Sequence, residues 1–355
     1  MPGSIAVIGA GIAGIACAQA LQAAGRSVVL FDKGRSAGGR AATRRQNERR
    51  FDHGAQFFTA RDNRFAAVVR RLEAQGSVAR WSAPFRTLAA GQWGDDPRPG
   101  AVRYVGVPGM SALPRALAAE LTVHASRRVE RIDGAAGAYL LAVRDMTTSG
   151  GSAEASPTGT AQERQAYGPF ERVVLAIPPR QADDLLRNSS ICDGPVAERA
   201  SALREALQPS LCAMVAFDPL EDAPLGGMFV SDDAALSWAA HDGGKPGRDG
   251  GASYVLHARA DWSIANFDRD RELVSRELLA AFARVLGRPL PEPVHLVGHR
   301  WGFALVTADE ADAASAQSSF AYDESRGLGL VGDALVAGRV EGAYLSGLDL
   351  ASRLD

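Results

Sequence analysis

Residues 5–14 of the chain are Ile5-Ala6-Val7-Ile8-Gly9-Ala10-Gly11-Ile12-Ala13-Gly14. The first four form an apolar run, which is typical of a buried strand in a parallel sheet. The glycines follow at the spacing Gly-x-Gly-x-x-Gly, and residues 15–24 continue with helical periodicity and no proline. A second apolar run, residues 28–31, ends in Asp32. This order of strand, turn, helix, strand and acid predicts a binding site for an adenine dinucleotide.

Each part of this pattern has a physical reason. Gly9 permits a tight turn, Gly11 lets the backbone approach a pyrophosphate, and Gly14 lets the helix pack closely on the strand. The helix N-terminus offers unpaired N–H groups and a positive dipole end to phosphates, and Asp32 can accept from a ribose hydroxyl. The alternative is a glycine-rich turn that binds no nucleotide. The predicted contacts here are Gly9, Ala10, Gly11, Ile12, Ala13, Gly14, Asp32 and Lys33.

A second glycine-rich turn follows the acid and narrows the choice of dinucleotide. It contains Gly38-Gly39-Arg40, where a nicotinamide dehydrogenase usually proceeds into another plain strand and helix. The two glycines allow close backbone approach to a ligand. The arginine can pair with a pyrophosphate through its planar fork. The alternative is an ordinary surface turn in an arginine-rich chain.

Two more motifs follow in a specific order. Residues 51–58, Phe-Asp-His-Gly-Ala-Gln-Phe-Phe, place Gly-Ala beside aromatic residues. Near the C-terminus, residues 328–333 form an apolar run that ends in Gly332-Asp333, and Val340 to Ala343 start a last helix with its body at Tyr344–Leu354. Together with the N-terminal motifs, these pieces resemble the flavin-binding oxidoreductases of the amine-oxidase type.

This resemblance implies a non-covalently bound FAD. The first turn and the acid would hold its adenosine half, the Gly-Gly-Arg turn its middle, and the late Gly-Asp its ribityl or pyrophosphate region. The last helix would point its N-terminus, with the N–H groups of Gly342 and Ala343, at the pyrimidine edge of the flavin. The remaining candidate contacts are Gly39, Arg40, Ala55, Gln56, Phe57, Val129, Gly332 and Asp333.

Composition sets outer bounds. The chain has 355 residues, 46% of them hydrophobic, and a net charge of −2, which indicate a globular protein without a nucleic-acid partner. No apolar stretch is long enough to span a membrane and no signal peptide is evident, so we expect a cytoplasmic protein. The cysteines, Cys17, Cys192 and Cys212, are scattered and not at metal-ligand spacing. We therefore expect no metal site.

The predicted fold is α/β, with a Rossmann-type FAD-binding domain around a parallel sheet and an interleaved substrate domain with a mainly antiparallel sheet. The FAD-binding domain is assigned to residues 1–60, 122–180 and 325–355, and the substrate domain to 61–121 and 181–324. Residues 146–168 and 242–251 are predicted as loops, the first of them long and mobile. The clearest further elements are helices at Asn63–Gln75, Ser111–Glu120 and Asp270–Leu286, and strands at Arg127–Ile132, Ala138–Val143 and Val173–Ile177.

Within the amine-oxidase type, the chain is most similar to the renalase-like branch. The likeness includes residues 54–57, Val255-Leu256-His257-Ala258 and His299-Arg300-Trp301. It implies an oxidase that takes a hydride from 2- or 6-dihydroNAD(P), restores NAD(P)+ and passes the electrons to O2 as H2O2. Amine oxidases commonly place a lysine near the flavin, and neither Lys33 nor Lys245 is well placed for that role.

Hydride transfer needs stacking and orientation more than proton chemistry. The predicted walls of the substrate pocket are Phe57, Trp301 and His257. A core or rim position for the tryptophan, and a satisfied core position for the histidine, are the alternatives. Two other functions stay open: another flavin oxidoreductase on the same scaffold, such as an amine oxidase or a desaturase, and a non-catalytic dinucleotide-binding redox sensor.

Overall fold

The computed structural model describes residues 3–147, 164–221, 223–306, 318–336 and 338–355. The chain forms two compact units, and both are discontinuous in sequence. The first unit comprises the described parts of residues 1–39, 114–207 and 306–355, and the second comprises residues 40–113 and 208–305. Relative to the predicted domains, residues 40–60 thus lie in the second unit, and residues 114–121, 181–207 and 318–324 lie in the first. Which unit binds FAD and which binds the substrate stays a prediction.

The secondary structure of the described residues is as follows. The strands are β1 (Ile5–Ile8), β2 (Val28–Phe31), β3 (Arg44–Gln46), β4 (Arg49–Phe51), β5 (Val78–Arg80), β6 (Phe85–Ala89), β7 (Gln92–Gly94), β8 (Tyr104–Gly106), β9 (Thr122–His124), β10 (Arg127–Asp133), β11 (Tyr139–Asp145), β12 (Arg164–Phe170), β13 (Arg172–Leu175), β14 (Leu207–Ala216), β15 (Gly227–Val230), β16 (Leu236–His241), β17 (Ser253–Ala258), β18 (His295–Val306), β19 (Phe320–Asp323) and β20 (Leu328–Val331). The α-helices are α1 (Ile12–Ala23), α2 (Asn63–Ala74), α3 (Ala112–Leu117), α4 (Pro179–Asn188), α5 (Pro195–Ala202), α6 (Ala260–Ala265), α7 (Arg271–Leu286) and α8 (Val340–Leu354), and a 3-10 helix spans Asp333–Leu335.

The first unit is built on a six-stranded sheet in the order β19-β20-β13-β1-β2-β9. All neighbours pair in parallel except β19 and β20, and Ile5 lies opposite both Val28 and Arg172. The four residues of β1 are at most 4% exposed, as expected for a central parallel strand covered on both faces. The carboxyl ends of β1 and β2 lie at the same edge of the sheet. This edge carries the first glycine-rich turn and Asp32.

A three-stranded antiparallel sheet, β10-β11-β12, completes the strands of the first unit. The prediction of a loop over residues 146–168 is wrong for its last part, because Arg164 to Gly168 belong to β12, which pairs with β11. Most residues of β12 are exposed and only Phe170 is buried, so the strand has no apolar alternation that could reveal it. The part of the predicted loop at residues 148–163 lies outside the described residues.

The second unit is built on a seven-stranded sheet in the order β18-β14-β17-β16-β15-β6-β7. The pairs β14–β17, β16–β17, β15–β16 and β6–β7 are antiparallel, and β15–β6 is parallel. The predicted fold class, a parallel sheet with a mainly antiparallel second sheet, is therefore confirmed.

The two faces of this sheet differ. On one face, Ala213 and Val215 of β14 pack with Leu278 and Phe282 of α7. Because side chains alternate along a strand, the next residues point to the other face, where Met214, Ala216 and Val255 pack with Phe51. Three histidines from β17 and β18 lie on this second side. We call it the histidine face, defined by His257, His295 and His299.

The remaining predicted elements differ from the structure mainly at their ends. Helix α2 ends one residue before its predicted limit, α3 is shorter than predicted at both ends, and α7 begins one residue later. The start of α7 is set by Asp270, whose carboxylate accepts from the N–H groups of Glu272 and Leu273. Within the described ranges, no helix is both long enough and apolar enough to cross a membrane.

Candidate functional site

The glycine-rich turn of the first unit contains two glycines that the fold requires and one, Gly11, that it does not. Gly9 has φ +107°, and a Cβ atom there would lie 2.4 Å from the carbonyl oxygen of Ala176. A Cβ atom on Gly14 would lie 2.0 Å from the oxygen of Gly9. Gly11 has an ordinary extended backbone, and a Cβ atom there would meet nothing within 4 Å. The space beside Gly11 is therefore open to a ligand.

Helix α1 begins directly after this turn. Its N-cap is Gly11, which has no side chain to accept from the first N–H groups, and the first bond of the helix runs from the N–H of Ile15 to the oxygen of Gly11 at 2.9 Å. The N–H groups of Ile12, Ala13 and Gly14 precede that bond, so the helix itself leaves them unsatisfied. Such a helix start next to open space fits a phosphate group.

The carboxylate of Asp32 is joined to the turn. Its Oδ2 accepts from the N–H of Ala10 at 2.7 Å, and its Oδ1 accepts from the N–H of Gly34 at 2.7 Å. Burial raises the pKa of Asp32, and the two backbone hydrogen bonds oppose that rise. Each oxygen keeps a further lone pair, so the carboxylate can also accept from ribose hydroxyls. The structure therefore gives Asp32 a local structural role beside the predicted one.

The Gly38-Gly39 turn packs against the first turn. The N–H of Gly38 donates to the oxygen of Ala10 at 2.8 Å, and a Cβ atom on Gly39 would lie 3.6 Å from the Cα of Gly11. The predicted contact at Val129 is on β10, whose first residue, Arg127, donates its N–H to the oxygen of Asp32 at 2.7 Å. Lys33 is an exposed residue at the same edge. The structure thus brings the N-terminal candidates together around one edge of the sheet.

Helix α8 links the late Gly-Asp turn to α1. The N–H of Gly332 donates to Oγ of Ser346 at 2.9 Å, and Asp333 begins the 3-10 helix. On the next residue of α8, a Cβ atom on Gly347 would lie 2.1 Å from the oxygen of Ala13, so the two helices are in close backbone contact. Gly332 and the start of α1 are therefore held by neighbouring residues of one helix.

The prediction that the N–H of Ala343 faces the flavin needs a correction. The helix begins at Val340, and the N–H of Ala343 donates to the oxygen of Arg339 at 3.1 Å. That N–H is used within the helix, whereas the start of the helix at Val340 agrees with the prediction. Gly342 precedes the first bond of the helix, so its N–H keeps the predicted availability.

In the second unit, Arg40 and Gly54 lie against the end of β18. The N–H of Ala55 donates to the oxygen of Arg40 at 3.0 Å, and the guanidinium of Arg40 donates to the oxygen of Ala304 at 3.2 Å. A Cβ atom on Gly54 would lie 2.0 Å from the oxygen of Arg40 and 3.3 Å from the ring of Trp301. Gly54 is thus a glycine because backbone and indole leave no room for a side chain.

Trp301 is fixed on the histidine face. Its Nε1 donates to the oxygen of His53 at 2.7 Å, and its ring stacks on the His53 ring with centroids 5.2 Å apart. His299 contacts both rings edge-on. Burial lowers the pKa of His53 to about 4 and that of His299 to about 3. Both imidazoles are therefore neutral near pH 7.

His257 and Gln56 form the polar part of this face. Nε2 of His257 lies 3.2 Å from Nε2 of Gln56, and Nδ1 of His257 lies 3.4 Å from Oγ of Ser210. The Gln56 amide also donates to the oxygen of Asp52. Burial lowers the pKa of His257 to about 3, and His53 and Lys245 lower it further. The buried Oε1 of Gln56 has no hydrogen-bond partner among the described residues.

Phe57 belongs to an aromatic group beside these residues. Its ring lies 5.5 Å from that of Phe85 and 5.7 Å from that of Trp238, and Trp238 is opposite His257 in the register of β16 and β17. The guanidinium of Arg103, paired with Asp96, lies over the Phe85 ring at 3.9 Å. The structure therefore brings Gln56, Phe57, His257 and Trp301 to one face of the second-unit sheet, as far as the described residues extend.

A buried cluster of four charged residues in the same unit was not predicted from the sequence. Nζ of Lys245 lies 3.1 Å from Asp52 and also contacts Asp242, and Nη2 of Arg248 lies 2.6 Å from Asp52. Oδ1 of Asp52 accepts from Oγ1 of Thr43 at 2.7 Å and from the N–H of Met110 at 2.9 Å. Residues 242–251 form no helix or strand, as predicted, yet Asp242 and Lys245 are buried. A lysine in a chain with only two lysines was the available signal.

The two acids of this cluster differ in the direction of their pKa shifts. Burial raises the pKa of Asp52, but Lys245 and Arg248 bring it below its usual value. Burial also raises the pKa of Asp242, and there the neighbouring Asp52 adds to the rise. Asp52 is thus the firmly ionised acid, and it immediately precedes the segment that carries His53 and Gln56. Among the described residues, no group of histidine, cysteine and acidic side chains could hold a metal ion.

The parallel sheet, the open glycine-rich turn and the acid that follows β2 define a dinucleotide-binding protein of the Rossmann class. Comparison of sequences agrees: the model of the NAD(P)-binding Rossmann-like domain matches residues 7–72, and that of the flavin containing amine oxidoreductases matches residues 87–355. The chain belongs to the flavin containing amine oxidoreductase family, and its cofactor is FAD. The groups around Gly11 fit this cofactor.

Solved structures with the same fold span nearly the whole chain. A putative protoporphyrinogen oxidase from Exiguobacterium sp. 255-15 is 13% identical with a TM-score of 0.71, covering 100% of this chain and 99% of its own. A putrescine oxidase bound to putrescine is 14% identical with a TM-score of 0.69 and the same coverage. A fatty acid isomerase from P. acnes is 13% identical with a TM-score of 0.69, covering 99% and 98%. At these identities the likeness shows the fold.

Proposed function

We propose that this protein is an FAD-dependent oxidase of 2- or 6-dihydroNAD(P), which it converts to NAD(P)+. The observation that carries the proposal is the contact of Gln56 with His257 beside Phe57 and Trp238. These groups are neutral or aromatic, and His257 is too weak a base to take a proton near neutral pH. Such a face can stack and orient a dihydropyridine, which needs no base, because a hydride and not a proton leaves its ring.

The residues of this face have separate tasks in the proposed reaction. Phe57 and Trp301 supply flat apolar surface for the ring. The Gln56 amide and the His257 imidazole supply hydrogen-bonding groups suited to a carboxamide. Bound FAD supplies the hydride acceptor and the route to oxygen. The overall change balances as dihydroNAD(P) plus O2 plus one proton giving NAD(P)+ plus H2O2.

The position of Lys245 supports this substrate over an amine. Its ammonium contacts two carboxylates, Asp52 and Asp242, and lies 5.0 Å from the centre of the Trp81 ring. A lysine bound in this way is held as a structural cation. Lys33, the other lysine, is in the first unit next to Asp32.

In the first unit, we propose that the glycine-rich turn, Asp32, Lys33, Gly39 and Val129 bind the adenosine half of FAD. Gly332, Asp333 and Gly342 would bind nearer the flavin. The contacts predicted for Arg40, Ala55, Gln56 and Phe57 with FAD stay predictions. All three cysteines lie within the described residues and are free, which supports the expected cytoplasmic location.

An anaerobic stopped-flow comparison tests the proposed substrate. The FAD-loaded protein is mixed with 2-dihydroNAD(P), 6-dihydroNAD(P), benzylamine or putrescine, and the loss of flavin absorbance is followed. We expect rapid bleaching by a dihydronicotinamide and much slower bleaching by the amines. Bleaching by benzylamine or putrescine with none by the dihydronicotinamides would refute the proposal in favour of an amine oxidase. No bleaching by any reductant would favour the redox sensor.

A further inference from the structure

A short hairpin on the second unit concentrates positive charge. It consists of β3 and β4, and its residues 44–50 contain four arginines and one acid, Glu48. In the register of the hairpin, Arg44 lies opposite Phe51 and Gln46 lies opposite Arg49. Arg44 and Arg49 are therefore diagonal neighbours on the same face as Phe51, close enough for like charges to repel.

This face of the hairpin lies against the histidine face of the sheet. Phe51 is fully buried there, and its ring stacks on that of His295 at 5.3 Å. Two residues further along β18, on the same side, is Val297, which packs against the Phe51 cluster, and then His299. His299 contacts the ring of His53 at 4.6 Å. The diagonal pair of arginines thus stands beside a row of imidazoles.

The groups of this surface are short of negative partners. Within the described part of the chain, Arg44 and Arg271 form no ion pair, and Arg49 has only Asp218, at 3.9 Å and 73% exposed. Arg44 lowers the pKa of His53, His295 and His299, after the larger effect of burial, and Arg49 does so for His295 and Arg271 for His299. The local field is therefore positive.

Hydrogen-bonding capacity is also unused at this place. Nε2 of His295 and Nε2 of His299 are buried and have no partner among the described residues. A buried polar atom without a partner costs free energy, so a ligand that satisfies it is favoured. A neutral imidazole can offer an N–H donor from either ring nitrogen, and arginine binds phosphate oxygens through two parallel hydrogen bonds.

We propose that Arg44, Arg49 and His295 form an anion site that holds a phosphate group of the substrate; His299 lies four residues further along β18, about 13 Å away, and belongs only to its positive surroundings. The source of the phosphate, the dinucleotide, rests on the proposed function, whereas the anion site rests on the hairpin and the His295 imidazole alone. A dihydronicotinamide dinucleotide carries its phosphates away from the reacting ring. When the anion site binds these phosphates, it orients the substrate but takes no part in the hydride transfer. The site therefore determines which dihydronicotinamides are bound.

The test compares Arg44→Gln and Arg49→Gln with the matched control Arg45→Gln. Arg45 is exposed on the same strand, but side-chain alternation places it on the other face of the hairpin. Binding of ADP-ribose, inorganic pyrophosphate and adenosine to the FAD-loaded protein is measured by titration calorimetry. We expect Arg44→Gln and Arg49→Gln each to weaken ADP-ribose binding about tenfold, which is the loss of one charge-assisted hydrogen-bonding group. Arg45→Gln should change the affinity for ADP-ribose by no more than about twofold. The affinity for adenosine should be the same in all variants and in the wild type.

Several outcomes overturn the anion site. One is equal ADP-ribose affinity in Arg44→Gln, Arg49→Gln and the wild type. Another is an equal loss in Arg45→Gln, which would indicate only general attraction to a basic surface. Pyrophosphate binding without ADP-ribose binding would assign the site to free phosphate and overturn the dinucleotide source. Because these measurements need no turnover, retained arginine-dependent ADP-ribose binding without oxidation of any dihydronicotinamide supports the site and refutes the proposed function.

Discussion

Nζ of Lys245 lies 3.1 Å from Oδ2 of Asp52, and neither side chain is exposed to solvent. A second carboxylate, that of Asp242, and the guanidinium of Arg248 complete a group of two acidic and two basic side chains. An isolated buried charge is costly, so each of these residues depends on the others. The N–H of Asp52 also donates to the carboxylate of Asp242 at 2.5 Å. The cluster therefore fixes the backbone from which His53 and Gln56 follow.

We expect Lys245→Met to destabilise the protein by about 3–5 kcal/mol, because it leaves two buried carboxylates, Asp52 and Asp242, with Arg248 as their one remaining cation. Urea denaturation of the apoprotein measures this loss, so that FAD binding does not contribute to either variant. Lys33→Met is the matched control, since Lys33 is exposed, and it should change the free energy of unfolding by about 0.5 kcal/mol or less. A loss below about 1 kcal/mol for Lys245→Met would show that the two acids are neutralised by other means.

The glycine-rich turn allows a test that separates cofactor binding from folding. Gly11→Val places a side chain in the open space beside the turn, so the protein should lose FAD on desalting. Its apoprotein should lose only about 1 kcal/mol of stability, the usual effect of a poor N-cap residue. In Gly14→Ala the new Cβ would press on the oxygen of Gly9, so that variant should be destabilised even without FAD.

Flavin absorbance per chain and urea denaturation of the two apoproteins give the measurement. Full retention of FAD by Gly11→Val would show that the space beside Gly11 is not the pyrophosphate site.

We expect Asp32 to be needed both for the stability of the apoprotein and for the binding of FAD. Asp32→Ala removes the acceptor of two backbone N–H groups, those of Ala10 and Gly34. We expect the apoprotein to lose about 1–3 kcal/mol of stability, because those donors are left unsatisfied. FAD retention should fall as well, because the proposed ribose acceptor is gone. Asp32→Asn keeps one side-chain oxygen, so it should recover part of the stability.

The measurements for Asp32 are the flavin content after desalting and the urea midpoint of each apoprotein. If both variants retain as much flavin as the wild type, Asp32 is only a structural residue of the turn.

The sequence predicted best those features whose residues are close in the chain. Gly9, Gly14 and Asp32 lie within one strand-helix-strand unit, and the backbone geometry of that unit follows from glycine and acid at fixed positions. The cluster around Asp52 was missed because it joins segments about 190 residues apart, and no local pattern encodes such a pairing. The strand Arg164–Phe170 was missed because both of its faces are largely exposed.

In the candidate site, too, the sequence predicted individual residues but not the contacts between distant segments. Gly54 and Trp301 were singled out separately, and only the packing of the indole against the glycine shows why the two occur together. The identity of His257 as a neutral group also depends on burial, which the sequence around it does not reveal.

Stability should fall in mild acid because of three buried histidines, His257 and His299 of the histidine face and His53 beside them. The pKa values of His53, His257 and His299 are lowered by burial to about 4, 3 and 3, and an unfolded histidine has a pKa of about 6.5. Between these values the unfolded chain binds more protons than the native protein. The contribution is therefore complete above about pH 6.5 and is lost as the pH falls towards 4, by at most about 1.4 kcal/mol per pH unit for each histidine.

Urea midpoints at a series of pH values check this dependence. His299→Asn removes one of the three groups, so its slope below about pH 6 should be shallower than that of the wild type. A slope that is the same in both proteins would assign the acid sensitivity to other residues, such as the buried acids Asp52 and Asp242.

Hydride transfer itself should show no histidine titration. His257 has its pKa lowered to about 3 by burial, with smaller effects from His53 and Lys245, so its imidazole keeps one charge state between about pH 5.5 and 8. The rate of anaerobic flavin bleaching by a saturating dihydronicotinamide should therefore be flat over this range. His257→Phe should lower that rate without introducing a pH dependence, because it removes a hydrogen-bonding group and no acid or base. A sigmoidal profile in the wild type that disappears in His257→Phe would instead identify His257 as a group that titrates during the reaction.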